Sequence, residues 1–331
     1  MPVSLIAPPP TLFNDQGQID LRQLDKLAAH LSRSGVSGVF VCGSTGEGMS
    51  LSVRERMEIT EAWAEAAPNH GLRTIAQVGA NSQRDAIDLA AHAGSLGLDA
   101  ISAHAPCYFR PKSVSELIGF FAPVAGAAPN TPFYYYDIPQ LTGVDLPTTQ
   151  FLETAPARIP SLAGVKYTNP NLAQLQECLH VDQGRFDLFY GNDDSLLAGY
   201  ALGAPSAIGS TYNYMAPHAH RIVQAFDEGN IALARALQLK TVEVVNILSE
   251  YGYLVAAKAV MQLFDIDCGG VREPLQKLHP NQKGEIIQRL VDIGFPFDDT
   301  TSYEPSNNHK APVPATHWNR DGANSKTQAS S

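Results

Sequence analysis

Eight apolar strand-like runs, each followed by a polar junction and an amphipathic helix, predict an α/β protein: a (β/α)8 TIM barrel with a C-terminal three-helix extension. An open, doubly wound sheet rarely needs eight such units in register. Length agrees, since 331 residues exceed the roughly 250 of an ordinary barrel by enough for a small helical layer. Composition agrees as well: 44% hydrophobic and 17% charged residues give a globular chain with material for a large core. The expected division is 1–229 for a barrel carrying the active site, 230–298 for the helical layer and 299–331 for a polar, disordered tail.

The first strand is expected over 3–7 and its helix over 20–34, where Leu21, Leu24, Leu27, Ala28 and Leu31 recur at helical spacing. The second strand spans 36–43, and the helix after it opens at Ser52 with Glu55 three places on. That pair is a capping box, in which each side chain satisfies an orphan backbone N–H. The third strand, 74–79, leads to a helix from Ser82 with Asp85 as a weaker box, and the fourth, 100–105, to one from Ser113 with Glu116. The fifth, 133–138, precedes a short helix after Pro147. The remaining pairs are 162–169 with 172–180, 186–190 with 195–202, and 206–211 with 217–226. Further helices read at 231–251, 254–263 and 281–293. From about residue 302 the chain is polar and poor in aliphatic residues, too little to offset its ordering entropy.

Several function classes are excluded. A net charge of −10 without any Lys/Arg cluster argues against nucleic acid and anionic membrane as partners. No apolar run approaches the roughly 18 residues that cross a bilayer. Cys42, Cys107, Cys178 and Cys268 lie far apart with no CxxC pair and no secretory leader, which reads as a reduced, cytoplasmic protein. No His/Cys/Asp/Glu set has metal-ligand spacing, and neither a GxSxG elbow nor a GxGxxG turn after the first strand is present.

The chemistry centres on Leu162-Ala163-Gly164-Val165-Lys166-Tyr167-Thr168-Asn169. Apolar residues hold both faces up to Lys166, as in a strand covered on both sides. A lysine there loses hydration, so its pKa falls and a neutral, nucleophilic amine becomes available; the alternative is a side chain snorkelling to water. Barrel sites form at the C-terminal ends of strands, so the polar groups at those ends matter. Strand two ends in Gly43-Ser44-Thr45-Gly46-Glu47-Gly48, a turn whose N–H groups either converge on a small anion or make an ordinary tight turn. Tyr136 closes strand five level with Lys166, while Tyr134 and Tyr135 read as core. Asp193 and Asp194 follow strand seven, where they either cap the next helix or accept from sugar hydroxyls. Strand eight ends in the hydroxyl-rich Ser210-Thr211-Tyr212. His104 reads as a satisfied core histidine. An amine, an anion-binding turn and a phenol on one rim suit a 2-oxo acid: the amine forms a Schiff base with the ketone, and the iminium serves as electron sink for C–C cleavage.

Gly43-Ser44-Thr45-Gly46-Glu47, then Tyr136-x-Ile138-Pro139 with Gly143, then Gly164-Val165-Lys166 resemble the pyruvate-dependent Schiff-base aldolases that include dihydrodipicolinate synthase and N-acetylneuraminate lyase. The resemblance runs over about residues 1–298. It implies Lys166 as Schiff-base lysine, Tyr136 as proton shuttle, and Ser44 and Thr45 as carboxylate ligands, with no cofactor. It also implies a homotetramer in which Tyr108 reaches a neighbouring subunit's site. The synthase branch carries an arginine where this chain has Leu141. The runs 132–144, 46–56 and 209–214 are instead similar to animal-type N-acetylneuraminate lyases. In that branch the positions of Thr168, Gly191, Asp193, Asp194 and Ser210 meet the polyhydroxyl tail of the sugar acid. Asp194 stands where glutamate is usual, and Asp137 is an extra acid that strand parity turns away from the barrel interior. The expected activity is cleavage of N-acetylneuraminate to N-acetylmannosamine and pyruvate. The alternatives are an aldolase for another 2-oxo sugar acid such as 2-keto-3-deoxygluconate, dihydrodipicolinate synthase, and a non-catalytic 2-oxo acid-binding barrel.

Overall fold

A computed structural model of the chain describes residues 3–295 and Trp318. Its strands are β1 (Ser4–Ala7), β2 (Gly38–Val41), β3 (Arg73–Gln77), β4 (Ala100–His104), β5 (Phe133–Asp137), β6 (Leu162–Tyr167), β7 (Asp187–Tyr190) and β8 (Ser206–Ile208). All pair in parallel in chain order, and β8 closes on β1. The expected (β/α)8 barrel is the fold. The helices around it are α1 (Leu24–Arg33), α2 (Val53–Asn69), α3 (Gln83–Ser95), α4 (Val114–Gly126), α5 (Pro139–Thr142), α6 (Thr148–Thr154), α7 (Leu172–His180), α8 (Leu196–Ala201) and α9 (Tyr212–Asp227). Three more follow, α10 (Ile231–Glu250), α11 (Tyr253–Val260) and α12 (Gln282–Asp292).

Strand alternation divides the core in two. Ile6, Phe40, Ile75, Tyr134, Tyr136, Phe189 and Ile208 fill the barrel, while Val39, Val41, Ile101, Tyr135 and Val165 face the helices. Phe121 on α4 seats its ring 5.4 Å from Phe133 and 5.6 Å from Tyr135. Truncating such a ring costs about 3–5 kcal/mol. Ser52 and Glu55 form the complete capping box at α2. At α3 and α4, Ser82 and Ser113 accept from Asp85 N and Glu116 N.

Three differences from expectation have local causes. Strand two stops at Val41 because Cys42 turns into the left-handed region, φ +57°. Strand eight stops at Ile208 because residues 209–211 already form the turn that starts α9, five residues before Pro217. The proline does sit inside a helix, but after a kink at Met215. A short helix, α5, follows β5 directly, its N1 position taken by Pro139. The stretch 299–331, expected to be disordered, lies outside the described residues except for Trp318, which is 5% exposed.

Candidate active site

Tyr136 and Lys166 are paired across β5 and β6. Gly164 lets β6 lie close to β7, since a Cβ there would fall 2.0 Å from the Asp187 carbonyl oxygen. Two residues on, the Lys166 side chain points into the barrel and is 4% exposed. Its Nζ lies 4.0 Å from the ring centre of Phe40 and 4.0 Å from that of Tyr136. Burial between these rings lowers the amine from 10.5 to about 7, opposed by the negative charge of Asp193. A substantial fraction is therefore a neutral nucleophile near neutral pH. Burial raises the Tyr136 phenol to about 12, partly offset by the hydroxyls of Ser44 and Thr168. Ser44 Oγ is 3.4 Å from the Tyr136 oxygen. The phenol is thus protonated beside the free amine, and a cationic iminium at Lys166 would draw it toward the phenolate.

The turn after β2 is built by close backbone approach. A Cβ on Gly48 would meet the Cys42 carbonyl oxygen at 1.9 Å. Glu47 N–H donates to the Ser44 carbonyl and Gly48 N–H to that of Gly43. Among the described residues, no acceptor takes the N–H groups of Ser44 and Thr45. Both residues are half-buried on the rim, an arrangement suited to a carboxylate.

On the opposite side, Gly191 abuts Thr168, whose Oγ1 would lie 1.9 Å from an added Cβ. Asp193 Oδ2 accepts from Thr211 N–H at 2.6 Å and lies 3.4 Å from Ser210 Oγ. The carboxylate therefore anchors the entrance to α9 at its N-cap residue, Thr211, and not the helix that immediately follows it. Burial raises its pKa, and the Thr211 backbone bond opposes that rise. Asp194 is exposed, 3.5 Å from Ser195 Oγ. Ser210 Oγ lies 2.6 Å from the Tyr253 hydroxyl, itself 3.0 Å from that of Tyr214. The β2 turn and Thr168, Gly191, Asp193 and Ser210 thus share one end of the barrel with Lys166.

Tyr108 is not brought to this cluster. It is 78% exposed and packs edge-on against Phe109 at 4.9 Å. With Phe109, Arg110, Pro111 and Gly143 it lines a groove of about 710 Å³. Asp137 turns outward as its parity requires, accepting from Thr148 Oγ1 at 2.8 Å and Asn169 Nδ2 at 3.3 Å. Burial raises it to about 6. His104 is buried with Nδ1 2.9 Å from the Ala105 carbonyl oxygen. Among the described residues no group of three or more His, Cys, Asp or Glu is placed to hold a metal ion, and no helix is long and apolar enough to cross a membrane.

The model of the dihydrodipicolinate synthetase family matches residues 1–292. The chain belongs to that family. Within it, the chain is 38% identical over 299 residues to N-acetylneuraminate lyase of Gallus gallus, spanning 89% of this chain and 97% of that one. It is 36% identical over 295 residues to the N-acetylneuraminate lyase of Rattus norvegicus, spanning 88% and 92%. Among solved structures, N-acetylneuraminate lyase (sialic acid aldolase) from Aliivibrio salmonicida matches with a TM-score of 0.86 at 41% identity, over 88% of this chain and 97% of that one.

Sequence reasoning passed over what supports the site in this member of the dihydrodipicolinate synthetase family. Glu47 adopts a left-handed conformation, φ +54°, and its carboxylate is fully buried. One oxygen accepts from Lys258 Nζ at 2.6 Å and the other from Arg272 N–H at 2.8 Å. Arg272 also grips Glu55, its Nη1 2.9 Å from Oε2. The C-terminal layer thereby holds the Ser44-Thr45 turn from behind. The available signal was Lys258 itself, a lone cation in the apolar run 254–261, since a buried lysine needs a partner.

Proposed function

We propose that this aldolase cleaves N-acetylneuraminate to N-acetylmannosamine and pyruvate through a Schiff base on Lys166. The observation that carries the reading is the amine held between Phe40 and Tyr136 with a pKa near 7. Lys166 attacks the C2 ketone, water leaves and an iminium forms. Ser44 and Thr45 hold the C1 carboxylate. Under the iminium charge Tyr136 releases its own proton to water; as phenolate it takes the proton of the C4 hydroxyl, the C3–C4 bond breaks to leave the aldehyde, and its electron pair flows into the iminium to give an enamine. Reprotonation at C3 and hydrolysis then release pyruvate and restore the amine. Thr168, Gly191, Asp193, Asp194 and Ser210 receive the hydroxyl tail. The chemistry asks nothing of a cofactor.

Leu141, 65% exposed, offers no charge to a second carboxylate, which supports a sugar acid over aspartate semialdehyde. The exposed rings of Tyr108 and Phe109 support a homotetramer in which Tyr108 meets the neighbouring subunit. Four free thiols support a cytoplasmic setting. Borohydride reduction in the presence of pyruvate, followed by peptide mass mapping, tests the reaction; lack of an adduct at Lys166 defeats it. Turnover across a panel of sialic and 2-keto-3-deoxy acids tests the substrate, and preference for 2-keto-3-deoxygluconate would reassign it.

A further inference from the structure

At the mouth of the barrel formed by the N-terminal ends of its strands, a single tryptophan from the C-terminal tail is seated among the first residues of four strands. Ser4, Gly38, Arg73 and Asp187 begin β1, β2, β3 and β7, and each touches Trp318. Its indole N–H lies 3.2 Å from Ser4 Oγ, and its backbone N–H donates to Asp187 Oδ2 at 3.0 Å. The Arg73 guanidinium stacks 3.6 Å over the indole and donates to the Trp318 carbonyl. Gly38 leaves the room: a Cβ there would come within 3.1 Å of the indole, and 2.8 Å of the Arg73 carbonyl oxygen. The indole and the Phe189 ring meet at right angles, 5.6 Å between centres. Phe189 is the β7 residue in register with Lys166.

We propose that the N-terminal mouth of the barrel is a docking site for the chain's own C-terminal segment, with Trp318 as the plug. Every polar atom of the residue that needs a partner finds one at the mouth, and the indole is engaged by a cation stacked over it and by the ring of Phe189. The occupant is specified by that fit: an aromatic residue whose own backbone is also bonded, hence a peptide segment and not a free indole-like ligand. The family match ends at residue 292, so the device belongs to the part of this chain that lies beyond it.

The full-length protein has two tryptophans, so the Trp318 signal is the difference between the parent and Trp318→Phe. Acrylamide should quench that signal several-fold less than it quenches free tryptophan amide. Arg73→Ala, which keeps the indole, should raise the quenching. Trp318→Ala should lower the melting temperature by on the order of 5 °C while pyruvate is still trapped at Lys166. Quenching in the parent equal to that of the free amide overturns the proposal. Benzoylphenylalanine at position 318, irradiated in a mixture of light and heavy subunits, identifies the donor. Cross-links to β1, β2 or β7 within one isotope class support the chain's own segment. Mixed pairs assign the site to a second copy and overturn it.

Discussion

The Lys258 ammonium lies 2.6 Å from Glu47 Oε1 across 211 residues of sequence, and neither side chain is more than 2% exposed. This pair fastens α11 to the turn that presents Ser44 and Thr45. Removing one member leaves the other charge buried and alone, at a cost of about 3–5 kcal/mol. Glu47→Gln and Lys258→Met should each lower the urea midpoint and raise KM for pyruvate-derived substrates more than they lower kcat. The double variant should be less destabilised than the sum of the two, and additivity in the cycle would show that the pair acts as two separate groups.

The amine of Lys166 titrates near pH 7 in the folded chain against 10.5 ordinarily. Between those values the unfolded chain holds a proton that the folded chain lacks, so this group makes stability rise with pH across that window; below pH 7 its penalty is complete. Lys166→Met should abolish turnover yet be more stable than the parent at pH 6, with the advantage shrinking toward pH 10. Paired urea titrations at several pH values measure this. In the parent, the rate of borohydride trapping should climb as pH rises through about 7, because only the neutral amine attacks; a pH-independent rate would contradict it.

Tyr136→Phe keeps the ring that packs 5.4 Å from Phe40 and removes only the oxygen. Pyruvate should still be trapped at Lys166, while cleavage slows by about 10²–10⁴-fold, the usual worth of a positioned acid–base group. Single-turnover kinetics separate the two steps. Equal loss of both would point to a role in shaping the pocket.

Gly191→Ala inserts a methyl group 1.9 Å from Thr168 Oγ1, which must displace the threonine. The expected result is a raised KM for the sugar acid with trapping of pyruvate nearly intact, because the carboxylate turn is on another strand. Comparing trapping with sugar cleavage in one preparation decides it.

Much of this arrangement was readable from the chain. The period of two at Tyr134 and Tyr136 separates barrel interior from exterior, and the same parity sends Asp137 outward to Thr148. Ser52 and Glu55 announce α2 because a cap is a local bargain among four residues. Lys166 stood out because a charge at the end of a two-sided apolar strand is costly. What escaped was long-range. Nothing near Glu47 names Lys258 as its partner, and nothing near Asp193 reveals that its carboxylate serves the helix after β8. Trp318 was hidden for the opposite reason: its neighbours are polar, and its partners come from strands that begin 131 residues or more earlier.

Asp193 commits one oxygen to the Thr211 N–H at the entrance to α9, so its architectural duty and its proposed grip on the sugar are inseparable. A chain exploring new sugar acids has little liberty there, whereas its neighbour Asp194, solvent-facing and unburdened by any cap, can lengthen or shorten at small cost. Divergence in taste among such enzymes should accumulate at the second of these adjacent acids and spare the first.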